Sequence, residues 1–182
     1  MAVDYLEDMA TQLVAAGVAG LALATTGTAP PVGYVVHSPV VGDNCCDSGQ
    51  LTVHLSEVFL TDLADEGPHV PFPGNCCAGI WKATFVVTLL RCVRNLDSTG
   101  QPATSSAQAT DAGGLLTDLW ALLTQLDDQI EGNTLWPDDE FPGIRCQDIT
   151  LGRAEPVPIE GNCAGWTIPI TVRLNDAGPT GS

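Results

Sequence analysis

The sequence predicts an α+β fold: a mainly antiparallel, mixed sheet of about five strands, with two helices packed on one face and long polar loops. Three observations carry this. Gln50–Ser56 and Trp81–Leu89 alternate apolar and polar residues with the period of a strand. Leu6–Gly17 and Leu115–Ile130 repeat apolar residues at helical spacing instead. Nineteen glycines and thirteen prolines gather between these stretches, where turns are needed. At 182 residues, with 45% hydrophobic and 15% charged, the chain reads as one domain, 1–182, with a substantial core.

Residues 1–30 read as an N-terminal helix and its linker. Asp4 and Glu7 have the spacing of a capping pair, and Leu6, Met9, Leu13, Val14 and Gly17 return on one face. The helix is expected to end near Gly17 or Gly20. "TAPPVG" resets the chain before a short extended piece, "YVVHS". From Gln50, Leu51, Val53 and Leu55 face one way, and Thr52, His54 and Ser56 the other. The alternation slips at Glu57-Val58-Phe59, which predicts a bulge. A polar loop, Thr61 to Asn75, leads to the longest strand, Trp81–Val93. There Trp81, Ala83, Phe85, Val87 and Leu89 share a face opposite Lys82, Thr84 and Thr88.

"NLDSTGQPATSSAQATDAGG" reads as a low-complexity connector. The second helix follows, with Leu115, Leu116, Leu119, Leu122, Leu123, Leu126 and Ile130 as its stripe, beside Trp120. "GNTLWPDDEFPG" reads as a solvated turn. Cys146–Ala154 is a weak strand and Trp166–Leu174 a clean one, in which Pro169 argues for an edge position. Residues 175–182 read as a flexible tail.

Charge and motifs exclude several functions. Twenty-two acids against six bases give −16 and a pI near 4.1. Such a surface does not grip nucleic acid, which needs several Lys or Arg contacts to phosphate. It suits either plain solubility or a duct through which DNA slides. Leu13–Ala24 has the look of a signal core, yet acids flank it at Asp4, Glu7 and Asp8, and "TTGTAPP" interrupts it. A cytosolic protein without a membrane span is expected. There is no Gly-x-Ser-x-Gly elbow and no phosphate-binding Gly-Lys loop, and His37, His54 and His69 are scattered. His54 reads as a surface residue. No catalytic, cofactor-binding or metal-binding residue is assigned, and no enzyme activity is expected.

Seven cysteines lie at Cys45, Cys46, Cys76, Cys77, Cys92, Cys146 and Cys163. No Cys-x-x-Cys or helical His pair completes a zinc site, and a reducing compartment disfavours disulfides. If the two long strands form a hairpin, Cys45-Cys46 and Cys76-Cys77 fall at opposite ends of the sheet. Cys92 and Cys146 read as small buried fillers. Structural thiols are the main reading; a disulfide formed after assembly and a bound metal are the others. The phrase "GNCCAGIWKATF" from Gly74 is echoed by "GNCAGWTIPI" from Gly161. In each copy Gly-Asn suits a turn with positive φ, Ala-Gly permits close backbone approach, and the tryptophan opens the buried face. The phrase launches strands.

"DNCCDSGQLTVHLSEVF", "FPGNCCAGIWKATFVVTLLRCV", the Leu-rich helix and "GNCAGWTIPITVRL" together resemble tail terminator proteins of long-tailed, siphovirus-type actinobacteriophages. The resemblance covers most of Gly42 to Leu174. Asp47 and Ser48 make this chain's Cys-Cys…Gly-Gln-Leu motif looser than the family's. It implies a homohexameric ring that ends the tail tube and joins it to the head–tail connector. Its partners would be itself, the major tail tube protein and the connector or stopper. DNA would only pass through the lumen, with no cofactor, reaction or membrane. The protein would reside in the virion tail or neck, after assembly in the host cytoplasm. Thr61–Asn75 and Asp138–Glu140 would meet axial neighbours. The six bases (Lys82, Arg91, Arg94, Arg145, Arg153, Arg173) would meet either a neighbour's acids or acids of their own chain. Two alternatives stand: another neck component, such as a stopper or head-completion protein, or a zinc- or thiol-dependent protein using Cys45, Cys46, Cys76, Cys77 and Cys163.

Overall fold

The computed structural model describes residues 2–24, 32–38, 45, 49–61, 80–96 and 100–174. Its elements are α1 (Ala2–Leu23), β1 (Val32–Val35), β2 (Gln50–Thr61), β3 (Ile80–Cys92), α2 (Ser105–Glu131), a 3-10 turn (Cys146–Asp148), β4 (Ile149–Leu151), β5 (Glu155–Glu160) and β6 (Cys163–Leu174). The fold is α+β, as the periodicities predict, with a mixed sheet of six strands rather than about five. The order is β1-β2-β3-β6-β4, and β5 also pairs with β6. Only β1 with β2 is parallel.

Both helices lie on one face of the sheet. Met9, Ala10, Leu13, Ala16 and Leu21 of α1 join Leu122, Leu126 and Ile130 of α2 in one core. They meet Leu51, Val53, Ala83, Phe85, Val87, Leu89, Ile168, Ile170 and Val172, every second residue of three adjacent strands. α1 does not end at Gly17 or Gly20. A Cβ at Gly17 would press on Leu51 and Leu122, and one at Gly20 on Gln125. These glycines let the helix sit close; they do not stop it. α1 is long and apolar enough by composition to cross a membrane, and here its apolar face is spent on the core. Asp4 lies inside its first turn rather than at the cap.

Several strand details differ from expectation. β1 starts at Val32, ahead of "YVVHS". The bulge falls between Leu55 and Glu57, a little before the expected slip. Trp81 is half-exposed instead of opening the buried face. The weak strand Cys146–Ala154 divides into the 3-10 turn and the three-residue β4. β5, "EPVPIE", carries two prolines and was not expected; it pairs with β6 alone, so its unpaired side tolerates them.

Pro169 is not on an edge strand, because β6 runs between β3 and the β4–β5 pair. β5 pairs with β6 as far as Thr167, and β4 takes over at Ile170. The Pro169 carbonyl turns toward this junction and accepts from Gly152 N at 2.8 Å. In a strand, N and C=O of one residue point the same way, so the missing N–H also faces the junction. No ladder bond to β3 is lost.

The connector reading of Asn95–Gly114 is overturned from Ser105 onward, where α2 begins. Thr104 caps it, accepting from Ala107 N at 3.3 Å. Asp111 then ties this weak half of the helix to Arg94, taking both its backbone N–H, at 2.7 Å, and its guanidinium. That bond holds the Asp111 carboxyl below its usual range. Leu116 of the stripe and Trp120 beside it are exposed, by 57% and 73%.

Candidate functional site

Antiparallel pairing carries Cys92 opposite Cys163 at one end of β3 and β6. Gln50, which opens β2, faces Leu90 at that same end, so the segment entering β2 arrives there too. Cys45 is buried and disulfide-bonded to Cys163, Cα to Cα 5.8 Å, across a sequence separation of 118. Cys92 is also disulfide-bonded. The structural-thiol reading is therefore corrected for these three. Cys92 and Cys146 are exposed rather than buried fillers, and Cys146 is a free thiol. Cys46, Cys76 and Cys77 lie outside the described residues. The usable signal was Cys163, whose strand returns antiparallel along β3.

The Gly-Asn-Cys phrase at Gly161 acts as backbone punctuation. Gly161 has φ +60°. A Cβ on Gly165 would collide with the Leu89 carbonyl in β3, so only glycine fits that pairing. The earlier copy lies outside the described residues as far as Gly79.

Removing the two sulfurs tests the bridge. Cys45→Ser/Cys163→Ser is expected to lose about 2–5 kcal/mol of unfolding free energy, since a bridge across so long a loop strongly restricts the unfolded chain. Urea titration with and without a reductant checks this; equal midpoints would remove the bridge from the account of stability.

Beside this end, Arg91 Nε donates to Asp118 Oδ2 at 2.7 Å, and both side chains are nearly inaccessible. Gly49, with φ +84°, lies flat against the Arg91 side chain. Two of the six bases, Arg91 and Arg94, therefore pair within the chain. Among the described residues, Lys82, Arg145, Arg153 and Arg173 form no ion pair. Arg145 instead opens the 3-10 turn, its backbone N–H donating to Asp148 Oδ2 at 3.2 Å.

The sheet face away from the helices is polar but not open. Thr52, His54, Thr84 and Thr88 are buried there, so His54 is not a surface residue. Its Nδ1 has no hydrogen-bond partner, and burial lowers the imidazole pKa below its ordinary 6.5. The unfolded chain thus binds the proton first as pH falls. The stability carried by neutral His54 is full above 6.5 and is lost as pH drops through the folded value. His54→Gln is expected to flatten the stability slope between about pH 7 and about pH 5; urea midpoints at both pH values would show an unchanged slope if this is wrong.

A shallow groove of about 280 Å³ runs between α1 and the β1–β2 edge, lined by Leu6, Ala10, Val35, Val36 and Leu55 with Glu7 and His37. Among the described residues, no three His, Cys, Asp or Glu side chains gather where they could hold a metal ion. The acidic turn Asp138–Glu140 is exposed, whereas the loop expected at Thr61–Asn75 lies, beyond Thr61, outside the described residues. No protein-family model matches the chain, and no curated protein matches it.

Proposed function

We propose that this is a structural virion protein, a ring-forming terminator of a phage tail tube that also joins the tail to the head–tail connector. The observation that carries the reading is how the charged and sulfur-bearing side chains are spent. Cys45 and Cys163 bridge each other, Arg91 and Asp118 close on each other, and Arg94 holds Asp111. These groups brace the fold, while four bases on a chain of −16 stay without an acid of their own among the described residues. A protein that works through surfaces fits this distribution. The acidic surface suits a lumen that lets DNA slide.

Electron microscopy of the purified protein and of particles tests the proposal. Six-fold rings at the head–tail junction are expected. A strict monomer absent from that junction would overturn it, and density elsewhere in the neck would reassign it as a stopper or head-completion protein. The zinc- or thiol-dependent alternative loses two thiolates of its five to the Cys45–Cys163 bridge.

A further inference from the structure

α2 has two apolar faces. Leu122, Leu126 and Ile130 are buried in the core, while Leu116 and Trp120 lie exposed on the opposite side with Ala109 and Gly113. Residues seven apart share a helix face to within about 20°, so Ser106, Gly113, Trp120 and Asp127 form one exposed line along it. Gly113 and its neighbour Gly114 stand mid-helix, where glycine weakens a helix. A Cβ on either would meet nothing within 4 Å. Gly17 and Gly20 of α1 make room for neighbours inside the chain; these two make room that nothing among the described residues fills. A notch therefore lies two turns, about 10 Å, from an exposed indole on the same face.

Charge is distributed just as unevenly along this helix. Between Ser105 and Gln125 its charged residues are Asp111, which holds Arg94, and Asp118, which is buried with Arg91. On a chain of −16, a second copy can approach this strip without meeting a free carboxylate. Farther on, Asp127 and Asp128 sit at the negative pole of the helix, which has no base in its last turn. The first turn, at the positive pole, has no acid.

We propose that α2 of one copy packs antiparallel on α2 of a second copy, about a two-fold axis beside Leu116 and Thr117, with each Trp120 seated in the other's Gly113–Gly114 notch. Counted outward from that midpoint, Gly113 falls level with Trp120, and Ser106 with Asp127. The acidic end of each helix thereby comes to the acid-free, positive end of its partner. A parallel pairing would stack indole on indole and acid on acid. The covered strip, Ser106 to Asp127, is about 30 Å long, and each tryptophan can bury ~150–250 Å². The two copies together reach the roughly 1,000 Å² at which specific interfaces begin. One patch serves both sides, so the contact closes at two copies. It goes beyond the ring reading, which needs a heterologous contact through other surfaces.

Sedimentation of the full chain over a range of concentrations tests the pairing. Wild type is expected to pair. Trp120→Glu, which removes the knob, and Gly113→Trp, which fills the notch, are each expected to weaken pairing at least about tenfold. The exchange Gly113→Trp/Trp120→Gly keeps the register and is expected to pair again. Circular dichroism confirms that each variant is folded. A single variant that pairs like wild type, an exchange variant that stays apart, or a wild type found only as monomers or single rings overturns the proposal. Six-fold rings are counted separately in micrographs and are expected in every variant; their absence from wild type would remove the ring reading and leave the pairing standing.

Discussion

Trp136→Ala is expected to remove about 3–5 kcal/mol of stability, the usual cost of emptying a large, fully enclosed aromatic site. Trp136 is the largest side chain with almost no accessible surface, although it comes from a loop. Its ring lies 6.0 Å from that of Phe85, and its indole N–H donates to the Met9 carbonyl at 3.2 Å. Leu135, Phe141 and Ile144 are buried around it, and Phe141 meets Tyr5 of α1 edge-on at 5.2 Å. The loop is therefore a plug joining the start of α1 to β3. Loss of the indole leaves a void and removes the loop's hydrogen bond to α1, while the Met9 carbonyl keeps its place in the helix. Trp136→Phe is expected to cost less, because it keeps the ring. Denaturant unfolding of the two variants decides: equal and small losses would show that the plug is not a determinant of stability.

That plug also marks where the sequence stopped being legible. "GNTLWPDDEFPG" reads as a solvated turn because its acids and prolines dominate any window of that size. The acids are indeed exposed, while the tryptophan and phenylalanine on either side of them point inward. Periodicity cannot signal such a segment, since no repeating element orients it. Where an element was regular the reading held: β3 is displaced by a single residue at each end, and Leu122, Leu126 and Ile130 are buried as the stripe requires. α2 hid its first half because Gly113, Gly114 and several Ser and Thr residues lower helix propensity. The capping Thr104 was the available cue. The Cys45–Cys163 bridge was invisible for another reason: it depends on which strands become neighbours, and β6 reaches β3 past α2, β4 and β5.

Arg91→Met is expected to cost about 3–5 kcal/mol, because it leaves the Asp118 carboxylate buried without its cation. Asp118 is 2% exposed, and the Arg91 guanidinium is its ion-pair partner at 2.7 Å. The double change Arg91→Met/Asp118→Leu is expected to recover most of that loss, since two apolar side chains carry no desolvation penalty. The coupling between the two sites, measured as a double-mutant cycle, should be about 2 kcal/mol or more. Additive effects would mean that the pair contributes packing and no electrostatic linkage. The pair clamps α2 to β3 close to the Cys92 end of the sheet, so its loss should also loosen the half of α2 that Arg94 and Asp111 tether.

β3 has one neighbour delivered early and one delivered late. β2 precedes it in the chain, while β6 is the last strand among the described residues and covers its other edge. Until β6 arrives, a ribosome-bound chain presents Phe85, Val87 and Leu89 on a strand whose second flank is an open template for any passing polypeptide. Contacts this distant along a chain form slowly. A cell making this protein in quantity must shelter that half-built ribbon, and yields of soluble material should respond to synthesis rate and chaperone supply more than to the stability of the finished fold.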